Sequence, residues 1–436
     1  MKGEASRYEP SLFLLKNKET DMNKLDLSAA AVVAALGACW ATPAAAAPVK
    51  IGLVETLSGP QASTGLSYRA AVRYAIDQIN AAGGWNGEPV QLVEYDNQGG
   101  PAGAADKLKA AAADGVQIVV QGASSAIGGQ ITEDVRKHNL RNPGKEMVYI
   151  NVGAEALELT GEKCNFYHFR FAGNAQVRVK ALVEGMKKAN ALGTKVYAIN
   201  QNYSWGQDMQ QAILDNAKAG GYTVVDKTLH DVNKIQDFAP YVAKIAASGA
   251  DTVLTGNWSN DLLLLMKASK AAGLKARYGT VYLDQPGNLA NAGDLAAGNF
   301  VVHTFNAEAG GADAQQFVED YKAKTGHIPV FVEPQTVYGM KMVGEALKRT
   351  PAQNGTLNVN EFAKALENAR IPTPMGEMSM RAADHQAQLP LVVSTVTADA
   401  KYKVDGTELG FKPVMLLSAQ ESSTPAPSTC KMKRPG

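Results

Sequence analysis

Two adjacent serines, Ser124 and Ser125, stand between a strand-like run, Gln117–Val120, and a helical pattern that starts near Ala126. The first turn of a helix leaves backbone N–H groups without intrahelical partners, and the helix dipole adds partial positive charge at the same end. Two hydroxyls at that point favour an anion, most naturally a carboxylate. The same serines also suit ordinary N-capping with no ligand. Trp205 and Trp258 each follow a strand-like run as well. Paired, they make a flat apolar lid with indole N–H donors; singly, each fits a packed core equally well.

No reactive constellation accompanies these residues. The sequence has no G-x-S-x-G elbow, no Walker lysine motif, no H-E-x-x-H and no G-x-G-x-x-G after the first strand. Its six histidines (His138, His168, His230, His303, His327 and His385) are scattered and read as surface or structural residues. The pattern argues for binding over catalysis, with no cofactor and no metal. A formal net charge of +1 over 436 residues leaves no basic field to hold nucleic acid.

The loops that carry the serines and tryptophans need elements to position them. From Pro48 the chain alternates strand and helix patterns. Val49–Val54 reads as a strand, and Tyr68–Asn80 places Tyr68, Ala71, Val72, Ala75, Ile76 and Ile79 on one helical face. Gly83 and Gly84 end that helix. Val90–Tyr95, Gln117–Val120 and Val148–Val152 are further strands, with helices over Ala102–Ala113 and Ala126–His138. After an aromatic stretch, Phe166–Phe171, the rhythm restarts with a helix over Val177–Asn190 and a strand over Lys195–Asn200. It continues through Thr252–Thr255 and Asp261–Ala272. Strands separated by helices of this length imply right-handed crossovers and parallel sheets. Two such runs predict an α/β protein of two doubly wound, Rossmann-like lobes. Ligands of open parallel sheets bind beyond the carboxyl ends of the strands. Here those ends are the loops after Val120, Val152, Asn200, Thr255 and Leu283. The last third is less regular, with helical patterns over Ala314–Thr325, Gln335–Lys348 and Asn360–Ala369 and a strand over Leu389–Val396.

The first 47 residues read as an upstream extension and an export signal. Met22 begins a better signal than Met1, with Lys24 as the positive start, an apolar run from Leu25 to Trp40 and small residues at Ala41–Ala47. Cleavage after Ala46 or Ala47 would release the mature chain as an exported protein. Leu36 to Cys39 also resembles a lipoprotein box, a competing but weaker reading. Of the three cysteines, Cys164 and Cys430 then remain in an oxidising compartment. The simplest reading pairs them in a disulfide that pins the C-terminal tail; two buried thiols are the alternative. Residues 418–436, rich in Ser, Thr and Pro at their start, read as that tail.

The stretch Pro48–Gly100 carries a specific order of motifs: Ile51-Gly52, Leu57-Ser58-Gly59-Pro60, Gly65, Asn80-Ala81-Ala82-Gly83-Gly84, Gly87 and Glu94-Tyr95-Asp96. With Asp114-Gly115-Val116, Gly122 to Ser125, Leu157 to Thr160 and Tyr203 to Gly206, it closely resembles the leucine/isoleucine/valine-binding family of periplasmic proteins. The resemblance spans about 49–415. It implies two lobes joined by three crossings near Arg170, Val302 and Val393, with the ligand between them and hinge closure on binding. Residues 48–170 plus 303–392 then form one lobe, and 171–302 plus 393–417 the other. It further implies an exported, monomeric protein that hands a small-molecule ligand to the membrane permease of an ABC importer.

The resemblance also implies site residues. Thr64 stands where leucine-binding relatives have a tryptophan. Gly153, Ala154 and Glu155 match a segment of small residues and a threonine that hold the ligand's charged end. Glu155 departs from that threonine and would either receive an ammonium group or face solvent. Trp205 and Trp258 match tyrosines that cover the ligand, and Asp284 matches the acid that binds the α-ammonium of amino acids. Branched-chain or other apolar amino acids are the favoured ligand class. A second set of matches, Lys137-His138-Asn139, Cys164 to Arg170, Asp384-His385-Gln386 and Cys430 to Pro435, resembles a branch with members that take up benzoates and hydroxycinnamates. It leaves aromatic carboxylates as the alternative ligand and supports pairing Cys164 with Cys430. A sensor that reports its ligand to a signalling partner is the alternative role.

Overall fold

A computed structural model describes residues 47–435. The expected signal, the alternative lipidation site at Cys39 and the expected upstream extension lie outside the described residues, apart from Ala47.

Two sheets organise the molecule. The first uses β1 (Lys50–Glu55), β2 (Gln91–Asp96), β3 (Ile118–Gln121), β4 (Val148–Asn151) and β5 (His168–Arg170). The second uses β6 (Lys195–Gln201), β7 (Thr223–His230), β8 (Thr252–Thr255), β9 (Arg277–Thr280) and β10 (Phe300–His303). The parallel parts run in the orders β2-β1-β3-β4-β5 and β7-β6-β8-β9-β10. Both are therefore the same doubly wound topology, laid down twice. Strands such as Ile118–Gln121 and Val148–Asn151 are buried throughout, as a strand covered by helices on both faces must be.

Later segments complete each lobe. Strands β11 (Arg370–Thr373), β12 (Gly376–Arg381) and β13 (Gln386–Gln388) extend the first sheet, and β14 (Leu391–Thr397) and β15 (Gly410–Leu417) extend the second. The chain thus crosses between sheets after Arg170, after His303 and between Gln388 and Leu391. Because β14 pairs with β10 from Val392 onward, the third crossing lies just ahead of Val393. The short strands β11–β13 carry no strong alternation and were not legible in the sequence.

The tail returns to the first lobe. Cys164 and Cys430 form a disulfide with a Cα–Cα distance of 5.5 Å. Ser422 Oγ donates to the Leu389 carbonyl at 2.6 Å, and Arg434 pairs with Glu367 at 2.5 Å. Among the described residues no helix is long and apolar enough to cross a membrane.

Candidate ligand-binding site

In a sheet of order 2-1-3-4-5, the chain leaves β1 and β3 toward opposite faces, and a crevice opens between their carboxyl ends. In the first lobe this switch point exposes the loops ending at Thr64 and Ser125. In the second, β6 and β8 present Tyr203, Trp205 and Trp258. These residues line a single cavity of about 310 Å³ with Tyr68, Gly122, Ala123, Ser124, Gly153, Glu155, Tyr282 and Phe331.

The first lobe supplies small and polar groups. Ser124 precedes the helix Ser125–Arg141 at a φ of 76°, a left-handed conformation that costs energy for a residue other than glycine. Its side chain makes no capping bond. Ser125 is used differently: its Oγ accepts from the Ala156 N–H at 3.1 Å, tying the loop after β3 to the loop after β4. Thr64 Oγ1 is buried with no partner among the described residues. Behind the loop, the Glu55 carboxylate accepts from the N–H groups of Gly122 and Ala123 at 2.8 and 3.1 Å and from Thr56 at 2.8 Å. Burial pushes the Glu55 carboxyl up to about 7 even against those three bonds. The ring of Tyr68 lies across Gly122 and Gly153, where an added Cβ would overlap it. Only glycine leaves room for that ring.

Glu155 carries the site's buried charge. It is 1% exposed and meets Arg178 through two bonds, Arg178 Nη2 to Oε1 at 2.5 Å and Nε to Oε2 at 3.1 Å. Glu155 therefore does not face solvent. Ala154, also buried, is not among the lining residues; its N–H is held by Asn151 Oδ1 at 2.7 Å. Asp284 is likewise absent from the lining. One oxygen lies 3.3 Å from His303 Nδ1, and burial raises its pKa. The loop after β9 turns one Asp284 oxygen toward His303 on β10, leaves the other, Oδ1, buried with no partner among the described residues, and places Tyr282 in the cavity.

The second lobe supplies rings. Trp205 Nε1 donates to the Gly256 carbonyl at 2.8 Å, and Trp258 Nε1 to Tyr203 Oη at 2.7 Å. Both indole N–H groups are thus spent within the lobe, and the lid presents faces, not the donors expected from the sequence. Across the lobes, Leu157 N–H donates to Asp208 Oδ2 at 2.7 Å and Ser259 Oγ to the Pro60 carbonyl at 3.3 Å.

Residues 48–401 match the family model described as periplasmic binding protein. The chain belongs to the periplasmic binding proteins, in the Leu/Ile/Val-binding family. It is 60% identical over 413 residues to Leu/Ile/Val-binding protein homolog 4 of Brucella abortus, covering 95% of this chain and 99% of that one. A solved leucine-, isoleucine-, valine-, threonine- and alanine-binding protein of Brucella ovis, in its closed conformation, superposes with a TM-score of 0.85 at 61% identity. The match covers 89% of this chain and 100% of that one. A benzoate-bound solute-binding protein of R. palustris reaches a TM-score of 0.73 at 19% identity over 88% of this chain and 100% of that one, which shows the shared fold alone. This periplasmic binding protein is thus the solute-capturing component of an ABC importer and not an enzyme.

Sequence reasoning missed Tyr68, Tyr203, Tyr282, Phe331 and Arg178. Tyr68 has a clean apolar helical period, and it serves core and cavity at once. Tyr203 follows β6 within two residues of Trp205 and was open to the same strand-end argument. Phe331 falls in the irregular last third, and nothing in the sequence joins Arg178 to Glu155.

Proposed function

We propose that this binding protein captures a small apolar α-amino acid of the leucine, isoleucine and valine type and delivers it, as a monomer, to its membrane permease. The observation that carries the reading is the juxtaposition of two polar features on the first lobe's rim of one cavity, where the Ala156 N–H meets Ser125 Oγ at 3.1 Å. Ser124 and the N-terminus of the helix Ser125–Arg141 suit a carboxylate. Glu155, whose oxygens retain lone pairs beyond the two bonds from Arg178, suits an ammonium group. The rings of Tyr68, Trp205, Trp258, Tyr282 and Phe331 suit an aliphatic side chain. The named ligands of the Brucella ovis relative support the same class. An aromatic carboxylate has no ammonium group to occupy the lone pairs that Glu155 keeps beyond its bonds from Arg178.

The test is a thermal-shift panel on residues 48–436 with the twenty amino acids, benzoates and hydroxycinnamates. A ligand at about a thousandfold excess over its Kd stabilises by about 4 kcal/mol. Shifts for leucine, isoleucine and valine are expected. Shifts confined to aromatic acids would overturn the proposal.

A further inference from the structure

The Glu155–Arg178 pair spans the two lobes. Glu155 sits in the loop after β4 of the first lobe. Arg178 sits on the helix Ala175–Lys188, which packs on β10, β14 and β15 of the second lobe. Arg178 is 3% exposed and joins three segments. Besides Glu155, its Nη1 donates to the Val302 carbonyl and its Nη2 to Gln335 Oε1, both at 3.3 Å. Gln335 in turn donates to the Val152 carbonyl at 2.7 Å, so it is fixed to the first lobe. Gly173, in the first crossing, packs closely: a Cβ there would lie 3.0 Å from Arg178 Nε. The helix start is locked by Asn174, whose side chain accepts from the Val177 N–H at 3.1 Å.

We propose that Arg178 is a positioning residue that delivers charge recognition only when the lobes are closed. It orients the Glu155 carboxylate toward the ligand's ammonium group and couples reading of that group to closure. This rests on the function proposed above. An isolated carboxylate in so apolar a cavity is costly, and the guanidinium fork fixes both oxygens in one plane. As the lobes part, Arg178 leaves with the second lobe. The first lobe alone then holds a carboxylate without its orienting partner, so a ligand lacking an ammonium group gains little from closure. A ligand stabilises closure only through its own contacts that differ between open and closed states; here that contact is between the ammonium group and a Glu155 carboxylate that Arg178 orients only in the closed form. Other charged or titratable groups acting on Glu155 and Arg178 are Tyr68 on the helix Ala62–Ala81, Arg170 on β5, and Tyr203, Tyr282 and Asp284 from the second lobe.

The experiment compares L-leucine with 4-methylpentanoate, the same molecule without its ammonium group, by calorimetric titration. The proteins are the wild type, E155Q/R178Q and R178K, each checked for folding by circular dichroism. The wild type is expected to prefer leucine by about 100-fold or more. E155Q/R178Q, which removes both charges together and strands neither, is expected to bring the ratio below about tenfold. With leucine it should also leave a larger open fraction in solution scattering. R178K keeps the charge but not the fork, and is expected to weaken leucine about tenfold while 4-methylpentanoate changes less. An unchanged ratio in either folded variant would overturn the inference while leaving amino-acid binding intact. A wild type that binds no amino acid would overturn the proposed function and this inference together.

Discussion

The rims of the two sheets share a topology and differ in chemistry. After β3 and β4 the first lobe presents Ser124, Ser125, Gly153 and Glu155, small or polar groups with one buried charge. After β6, β8 and β9 the second presents Tyr203, Trp205, Trp258 and Tyr282, with both indole N–H groups spent on its own atoms. Both lobes brace the rim with a buried carboxylate: Glu55 holds Gly122 and Ala123, and Asp261 accepts from Asn233 N–H and Gln201 Nε2. The same scaffold thus carries a polar reader on one side and an apolar cover on the other. Polar ends of a ligand need precise partners, which rigid loops near β1 and β3 provide. Apolar burial is non-directional and tolerates the small motions of closing.

The sharpest way to break this comparison is to remove what is shared by neither rim. C164S/C430S frees the tail from the first lobe and should cost about 2–4 kcal/mol of stability in chemical denaturation. Leucine affinity should move by no more than a few-fold, because the disulfide lies outside the cavity. Next, G153A drives a Cβ into Tyr68 and should cost about 1–3 kcal/mol through overpacking, with loss of binding measurable by calorimetry.

Within the first rim, S124A and S125A should separate. S124A should weaken a carboxylate ligand by about 1.5–3 kcal/mol, the worth of a hydrogen bond to a charged group, with stability unchanged. S125A leaves the Ala156 N–H without its acceptor and should register chiefly as lost stability. W258F, on the opposite rim, keeps a ring and removes one internal bond; its effect on affinity should stay below about 1 kcal/mol.

Burial raises the pKa of both braces, and the Glu55 brace is one that pH can read. Glu55 is raised to about 7 by burial from an ordinary value of 4.5. Its stabilising contribution is therefore fully present below about 4.5 and is lost as pH rises through 7. Denaturation of the wild type should show stability falling across that window relative to E55Q, in which this part of the slope disappears.

Much of the fold could be read from the sequence because strand and helix periods alternate cleanly from Val49 to Ala272, and topology then fixes where strands end. The helix start at Ser124 and the rim tryptophans follow from that local order. What stayed hidden depends on pairs that only folding brings together. Asp284 and Tyr282 are two residues apart, and which one faces the cavity is decided by the turn that carries Asp284 to His303. Arg178 reads as one more cation on a helix until the first crossing lays it against Glu155. Gly153 reads as a ligand-site residue and Gly122 as part of a loop motif, but nothing in the sequence shows that both must be glycine until Tyr68 is placed against them.

The most direct test of the central claim is calorimetric titration of residues 48–436 with L-leucine and, separately, with benzoate. The polar-reader and apolar-cover account predicts saturable one-to-one binding of leucine with a negative heat-capacity change, and no measurable heat from benzoate. Saturable benzoate binding with leucine silent would contradict it.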